Sequence, residues 1–137
     1  MGNTVPFKLI APTRVVFEGD AELVIAVTTE GEEGILPLHA PFSSALKPGV
    51  LRANVVENGT VRRMELATSE GFMQALPDRV TVLVDEAVGF DEIDVAGTRR
   101  QLEDATQRQS EAGEPHVVAR EQAAIDFAQA KLRLTGH

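Results

Sequence analysis

A chain of 137 residues and 14.8 kDa has room for one ordinary core and a small appendage, since two equal halves would each be marginal. Its net charge of −8 argues against nucleic-acid backbone and anionic lipid as partners, because both need a basic face, and favours a basic protein surface instead. The absence of cysteine excludes disulfide frameworks, thiolate metal sites and cysteine nucleophiles.

Residues 1–12 have neither the apolar run nor the basic flank of a signal peptide or membrane span, so the default expectation is a soluble, cytosol-facing protein. From residue 5 to 86 the apolar residues come in short, β-branched runs between turn residues, with no helical period. Strands are predicted over 5–10, 15–17, 22–29, 34–36, 43–46, 50–56, 60–68, 71–75 and 79–85. Glu57-Asn58-Gly59 reads as a hairpin turn, Lys47-Pro48-Gly49 as a turn needing proline then glycine, and Pro77-Asp78 as a type I turn. The fold class is therefore an antiparallel all-β sandwich of about ten short strands over residues 1–88. In the last run Val80, Val82 and Val84 define a core face, and Leu83 hints at cover on the other.

Within this half, residues 28–51 pack turn formers between short apolar pieces. Glu30, Glu32 and Glu33 sit beside Gly31 and Gly34, while Pro37, Pro41 and Pro48 cannot donate to a central ladder. The expectation is a bent connecting loop that displays carboxylates and one imidazole, His39.

After residue 86 alanine, glutamine, glutamate and arginine dominate. Asp91 with Asp94 makes a helix start, and that helix runs to about 109 or 110. A second helix begins at Pro115 and continues to about 134, so residues 89–137 form an antiparallel two-helix hairpin. Its apolar residues are mostly alanines, which favour helix but bury little area, at about 25 cal/mol per Å². Two readings stay open: helices that form readily yet dock weakly, and a fixed cover for one edge of the sandwich.

Catalytic parts are scarce. His39, His116 and His137 lack the spacing of a metal site, and there is no nucleophile elbow, phosphate loop or dinucleotide fingerprint. Carboxylate pairs such as Glu32/Glu33 and Asp85/Glu86 read either as solvated surface or as an acid/base pair. His39 is either a loop imidazole bonded to backbone or an interface residue.

Four segments in order carry a family resemblance. Phe7-Lys8-Leu9-Ile10-Ala11-Pro12-Thr13-Arg14 is followed by Val16-Phe17-Glu18-Gly19, and later by Glu30-Gly31-Glu32-Glu33-Gly34-Ile35-Leu36-Pro37-Leu38-His39-Ala40-Pro41. Ala45-Leu46-Lys47-Pro48-Gly49-Val50-Leu51 comes next, and Glu70-Gly71-Phe72 with Arg79-Val80-Thr81-Val82-Leu83-Val84-Asp85-Glu86-Ala87 closes the series. Together they resemble the epsilon subunit of rotary, F-type ATP synthases over nearly the whole chain.

The resemblance implies a non-catalytic subunit of the central rotor stalk, without metal or cofactor, that links the gamma subunit to the membrane-embedded c ring and so couples proton transport to ATP synthesis. It implies a peripheral position on the cytoplasmic side of an energy-transducing membrane, plasma or thylakoid-type, with no insertion into the bilayer. Carried over by residue, Glu32, with Glu30 and Glu33, falls where the family faces the polar loops of the c ring, and His39 falls near the gamma contact. An apolar patch on one sheet face is expected to supply the grip, with charges setting register.

The hairpin of this family can act as a brake on ATP hydrolysis, reaching the alpha and beta subunits, for which Arg120, Lys131 and Arg133 are the candidate contacts beside a reading as solvated charges. The alternative function is an ATP-sensing module. Some members bind ATP through Ile-Asp-x-x-Arg-Ala, but here only Ile93 and Asp94 of that motif remain, because Gly97 and Thr98 replace the arginine and alanine.

Overall fold

Alternating burial along the strands builds the body: Val5, Phe7, Leu9 and Ala11 point inward from β1 (Val5–Ala11), and Leu51, Ala53 and Val55 do so from β5 (Gly49–Glu57). The computed structural model describes residues 3–137, so Met1 and Gly2, at the head of the segment read for targeting signals, lie outside it. Between those strands come β2 (Arg14–Thr28), β3 (Gly31–Ile35) and β4 (Phe42–Leu46); after them come β6 (Thr60–Thr68), β7 (Gly71–Leu76), β8 (Arg79–Val84) and β9 (Ala87–Val88).

One layer of the sandwich is β1, β8, β7 and β4, with β1 parallel to β8; the other is β3, β2, β5, β6 and β9. Strand β2 joins them. Its first part pairs β1 from Arg14 to Ala21, and its second part pairs β5 from Asp20 to Ile25, with a register shift between Ala21 and Leu23, and β3 from Val24 to Thr28. The core is filled by Phe7, Leu9, Val24, Ile35, Leu51, Met73, Val80 and Val82, all essentially inaccessible to solvent.

The sandwich followed by a two-helix hairpin agrees with the expected fold class, with four corrections. The structure has nine strands, and 15–17 and 22–29 are one strand of 15 residues. Gly19, in the gap between those two runs, is extended and pairs with Phe7; a Cβ there would lie 2.9 Å from the Phe17 ring, which covers it. Second, β3 begins at Gly31, because a tight Thr29-Glu30 turn brings Thr28 and Gly31 into register. Third, β8 ends at Val84 rather than Asp85, and the two-residue β9, paired to Thr68 and Ala67, was not expected at all.

Fourth, the first helix starts later than Asp91. Phe90–Glu92 is a separate 3-10 turn tied by the Gly89 N–H donating to Glu92 Oε1 at 2.9 Å, and Ile93 and Asp94 are extended. Helix α1 then spans Val95–Glu111 and α2 spans Pro115–Leu134, with proline in the first turn where no amide donor is missed. Pairs such as Gln101 with Lys131 and Arg108 with Glu121 set the helices antiparallel. Helix α2 rests on the outer face of β5 and β6, where Phe127 and Ala130 meet Ala67, Val50 and Val88.

Gly71 shows how tightly the β7–β8 pair closes. A Cβ added there would sit 2.0 Å from the carbonyl oxygen of Leu83, so backbone would have to move. Gly71→Ala is expected to cost about 2–3 kcal/mol in urea unfolding, whereas Gly113→Ala, which meets nothing within 4 Å, is expected to change stability by less than about 0.5 kcal/mol.

Candidate functional site

The carboxylates read as a loop lie on a β-hairpin. Thr28 Oγ1 accepts the Glu30 N–H at 3.1 Å and donates to the Gly31 carbonyl at 2.7 Å, which fixes the turn. Glu30 is exposed in that turn, while Glu32 and Glu33 point to opposite sides of β3. Glu32 is ion-paired to Arg52 on β5, so it is not a free charge. His39 lies beyond the far end of β3, and the structure does not bring it beside the carboxylates. Its Nδ1 donates to the Ala40 carbonyl at 2.6 Å and its ring meets Phe42 edge-on, with centroids 6.3 Å apart. A carbonyl only accepts, so the proton is on Nδ1 and Nε2 is left available.

On the outer face of the first layer, strand register lines up Ile10 on β1, Leu83 on β8, Phe72 on β7 and Ala45 on β4. Phe72 is 46% exposed and Leu83 47%. The cover that Leu83 hinted at is not supplied by this chain, because the hairpin packs on the other layer. An apolar row across four strands is a surface made for a neighbour.

Between the hairpin and the end of the sandwich lies a cavity of about 350 Å³, lined by Arg108, Arg120 and Lys131 from the helices and by Glu70, Asp85 and Glu86 from the body. Ile93 and Asp94 are not among its lining residues. Asp94 instead caps α1 through its carbonyl, which accepts the Thr98 amide and hydroxyl at 2.8 and 2.7 Å. Arg99 is held by His137 Nδ1 at 3.2 Å. Arg133 lines a different recess, together with Glu32, Arg52 and Glu65, so residues read as facing different partners share one surface.

Glu121, which the sequence did not single out, is buried at 6% exposure and takes Arg108 Nε at 3.1 Å, with Arg120 Nε at 3.9 Å. Its place one turn before Ile125 and two turns before Ala128 was the available signal. Lys131 stacks over Phe127 at 4.7 Å and donates to Gln101 Oε1 at 2.8 Å. Burial pulls its pKa below the ordinary lysine range, and the charge of Glu86 works in the opposite sense. Among the described residues no group of His, Cys, Asp and Glu is placed to hold a metal, and no helix is long and apolar enough to cross a membrane.

The fold is a β-sandwich with a sealed core, an exposed apolar row on one layer and a helix pair packed on the other. The family model for the ATP synthase delta/epsilon chain β-sandwich domain matches residues 4–90. An ATP synthase epsilon chain of Moorella thermoacetica is 39% identical over 94% of this chain and 94% of its own length, and one of Chromobacterium violaceum is 34% identical over 92% and 89%. The chain belongs to the ATP synthase epsilon-chain family. The same fold occurs in a cryo-EM structure of the Euglena gracilis mitochondrial ATP synthase OSCP/F1/c-ring, with a TM-score of 0.78 and 23% identity over 99% of this chain and 85% of that one. It occurs again in the central stalk/c-ring of Tetrahymena thermophila, with a TM-score of 0.66 and 15% identity over 98% of both chains.

Because docking disfavours the charged form of Lys131, the folded chain binds fewer protons than the unfolded one between the lowered and the ordinary pKa. Stability gained from this group therefore rises with pH across that alkaline window, and its cost is fully present at pH 7. Lys131→Met is expected to raise the thermal unfolding midpoint at pH 7 and to flatten the alkaline rise, both read by circular dichroism.

Proposed function

We propose that this chain is a non-catalytic rotor subunit of a proton-translocating F-type ATP synthase, seated between the gamma shaft and the c ring on the cytoplasmic side of the membrane. The observation that carries the proposal is the row of Ile10, Leu83, Phe72 and Ala45, left open by the chain itself in a family whose members work inside this complex. Gamma covers that row and reaches His39, whose Nε2 is unengaged. Torque passes through a sandwich that has a sealed core and few ways to deform. The acidic hairpin turn with Glu30, Glu32 and Glu33 meets the polar loops of the ring, and its pairing with Arg52 holds Glu32 in place.

Residues 89–137 act as a separable unit, a brake that leaves the sheet and presents Arg120, Lys131 and Arg133 to the alpha and beta subunits. The sandwich core contains no residue of the hairpin, which supports independent movement. Nucleotide sensing is disfavoured: a polyphosphate entering the cavity beside Lys131 would meet Glu70, Asp85 and Glu86 as well as the cations, and the motif arginine is absent.

Leu83→Asp, a change at an exposed site, is expected to leave the fold intact and weaken gamma binding by about tenfold or more. Gamma affinity equal to that of the parent chain would remove the row from the interface. Deleting residues 91–137 is expected to keep the sandwich folded and coupled and to raise ATPase activity of the reconstituted complex. Unchanged hydrolysis would reject the brake. Calorimetry with millimolar ATP-Mg is expected to show no heat of binding.

A further inference from the structure

The turn after β3 places a leucine in the left-handed region of backbone space. The His39 N–H donates to the Leu36 carbonyl at 3.2 Å, with Pro37 second in the turn and Leu38 third at φ 64°. That is a type II arrangement, whose third position favours glycine or asparagine. The other non-glycine residue with positive φ is Asn58, in an Asn-Gly hairpin turn that suits it. A leucine in this conformation sets its Cβ against the backbone, a cost that glycine avoids.

The side chain gains nothing inside the chain in return. Leu38 is 74% exposed and Leu36, two positions before it, is 59% exposed. No Asp, Glu, Lys or Arg falls between Glu33 and Lys47, in a protein with 25% charged residues. The strand that follows, β4, carries Ala45, which extends the outer row of Phe72, Leu83 and Ile10. Ser43, Gln74, Thr81 and Lys8 lie between that row and the tip, so the tip is a contact of its own, and strain held at an exposed apolar side chain points to a bound partner that covers it.

We infer that Leu38, supported by Leu36, is a pre-set apolar anchor that inserts into an apolar groove of the gamma shaft and adds to the grip of the sheet row. The inference rests on the rotor reading above. Charge selects the shaft over the ring: the acidic turn at the opposite end of β3 suits polar ring loops, while the uncharged Leu36-Pro37-Leu38 tip has nothing to offer them. The turn is fixed before binding, so little ordering is needed when the leucine is buried.

The test compares the parent chain, Leu38→Gly and Leu38→Ala for thermal unfolding and for binding to purified gamma subunit. Leu38→Gly relieves the backbone, and its midpoint is expected to rise by about 2–5 °C while gamma affinity falls by about tenfold or more. Leu38→Ala keeps the positive-φ cost and loses the anchor, so affinity is expected to fall without a gain in midpoint. Parent-like gamma binding by both variants would overturn the anchor and leave the rotor reading standing. A parent chain that fails to bind gamma would overturn the rotor reading itself. Loss confined to ring-containing complexes, or to self-association seen in sedimentation, would assign the tip to another surface and overturn the inference. A Leu38→Gly midpoint no higher than that of the parent would overturn the argument from strain.

Discussion

Strand β2 is shared by both layers: it pairs with β1 along its first part and with β5 and β3 along its second. Neither layer can slide or open without breaking hydrogen bonds in that strand, and the register shift at Ala21/Leu23 is where it turns from one layer to the other. The side chains it encloses, from Val5 on β1 to Ala87 on β9, all come from the sandwich. The body is therefore complete before any helix touches it. Both outer faces are left free for contacts of their own.

Those faces differ in chemistry. One layer shows the apolar row through Leu83 and Phe72, the other accepts α2 at Val50 and Ala67, and the turn at Glu30 presents carboxylates. A stiff body with separate surfaces of different character can contact several neighbours at once without the contacts competing. Glu32, Arg52 and Arg133 are the exception, since a carboxylate of the β2–β3 hairpin and a cation of α2 line one recess. At that point the hairpin position and the acidic turn share an electrostatic environment.

Most of the sandwich was legible because alternation of small β-branched residues with turn formers leaves few other solutions, as along Thr60–Thr68, where predicted and observed bounds coincide. The errors came where a residue serves a partner remote in sequence. The gap between 15–17 and 22–29 closes only because Gly19 pairs with Phe7 of β1, and Glu32 reads as a loop residue until Arg52 arrives from β5. Strand β9 is too short to carry a period. Asp91 and Asp94 both look like caps, and only the Gly89–Glu92 hydrogen bond gives the first to a separate turn. Glu121 was passed over, despite its spacing to Ile125, because its neutralising Arg108 stands on the other helix, and the φ of Leu38 leaves no trace in composition. Resemblance supplied what pattern could not, namely the family, which the matched relatives bear out.

The hairpin is built so that its buried charge does not tie it to the sheet. Glu121 is neutralised by Arg108 and Arg120, all within the two helices, so the pair keeps its internal ion network wherever it goes. Attachment to the body rests on Phe127, Ala130 and Leu134 against Val50, Ala67 and Val88, a small apolar contact. Against it stands Lys131, whose charged form is disfavoured by burial in the docked position and only partly compensated by Glu86. The attachment of the helices to the sheet is thus small and apolar, while the polar contacts that hold the two helices together, Arg108 with Glu121 and Lys131 with Gln101, are internal to the pair.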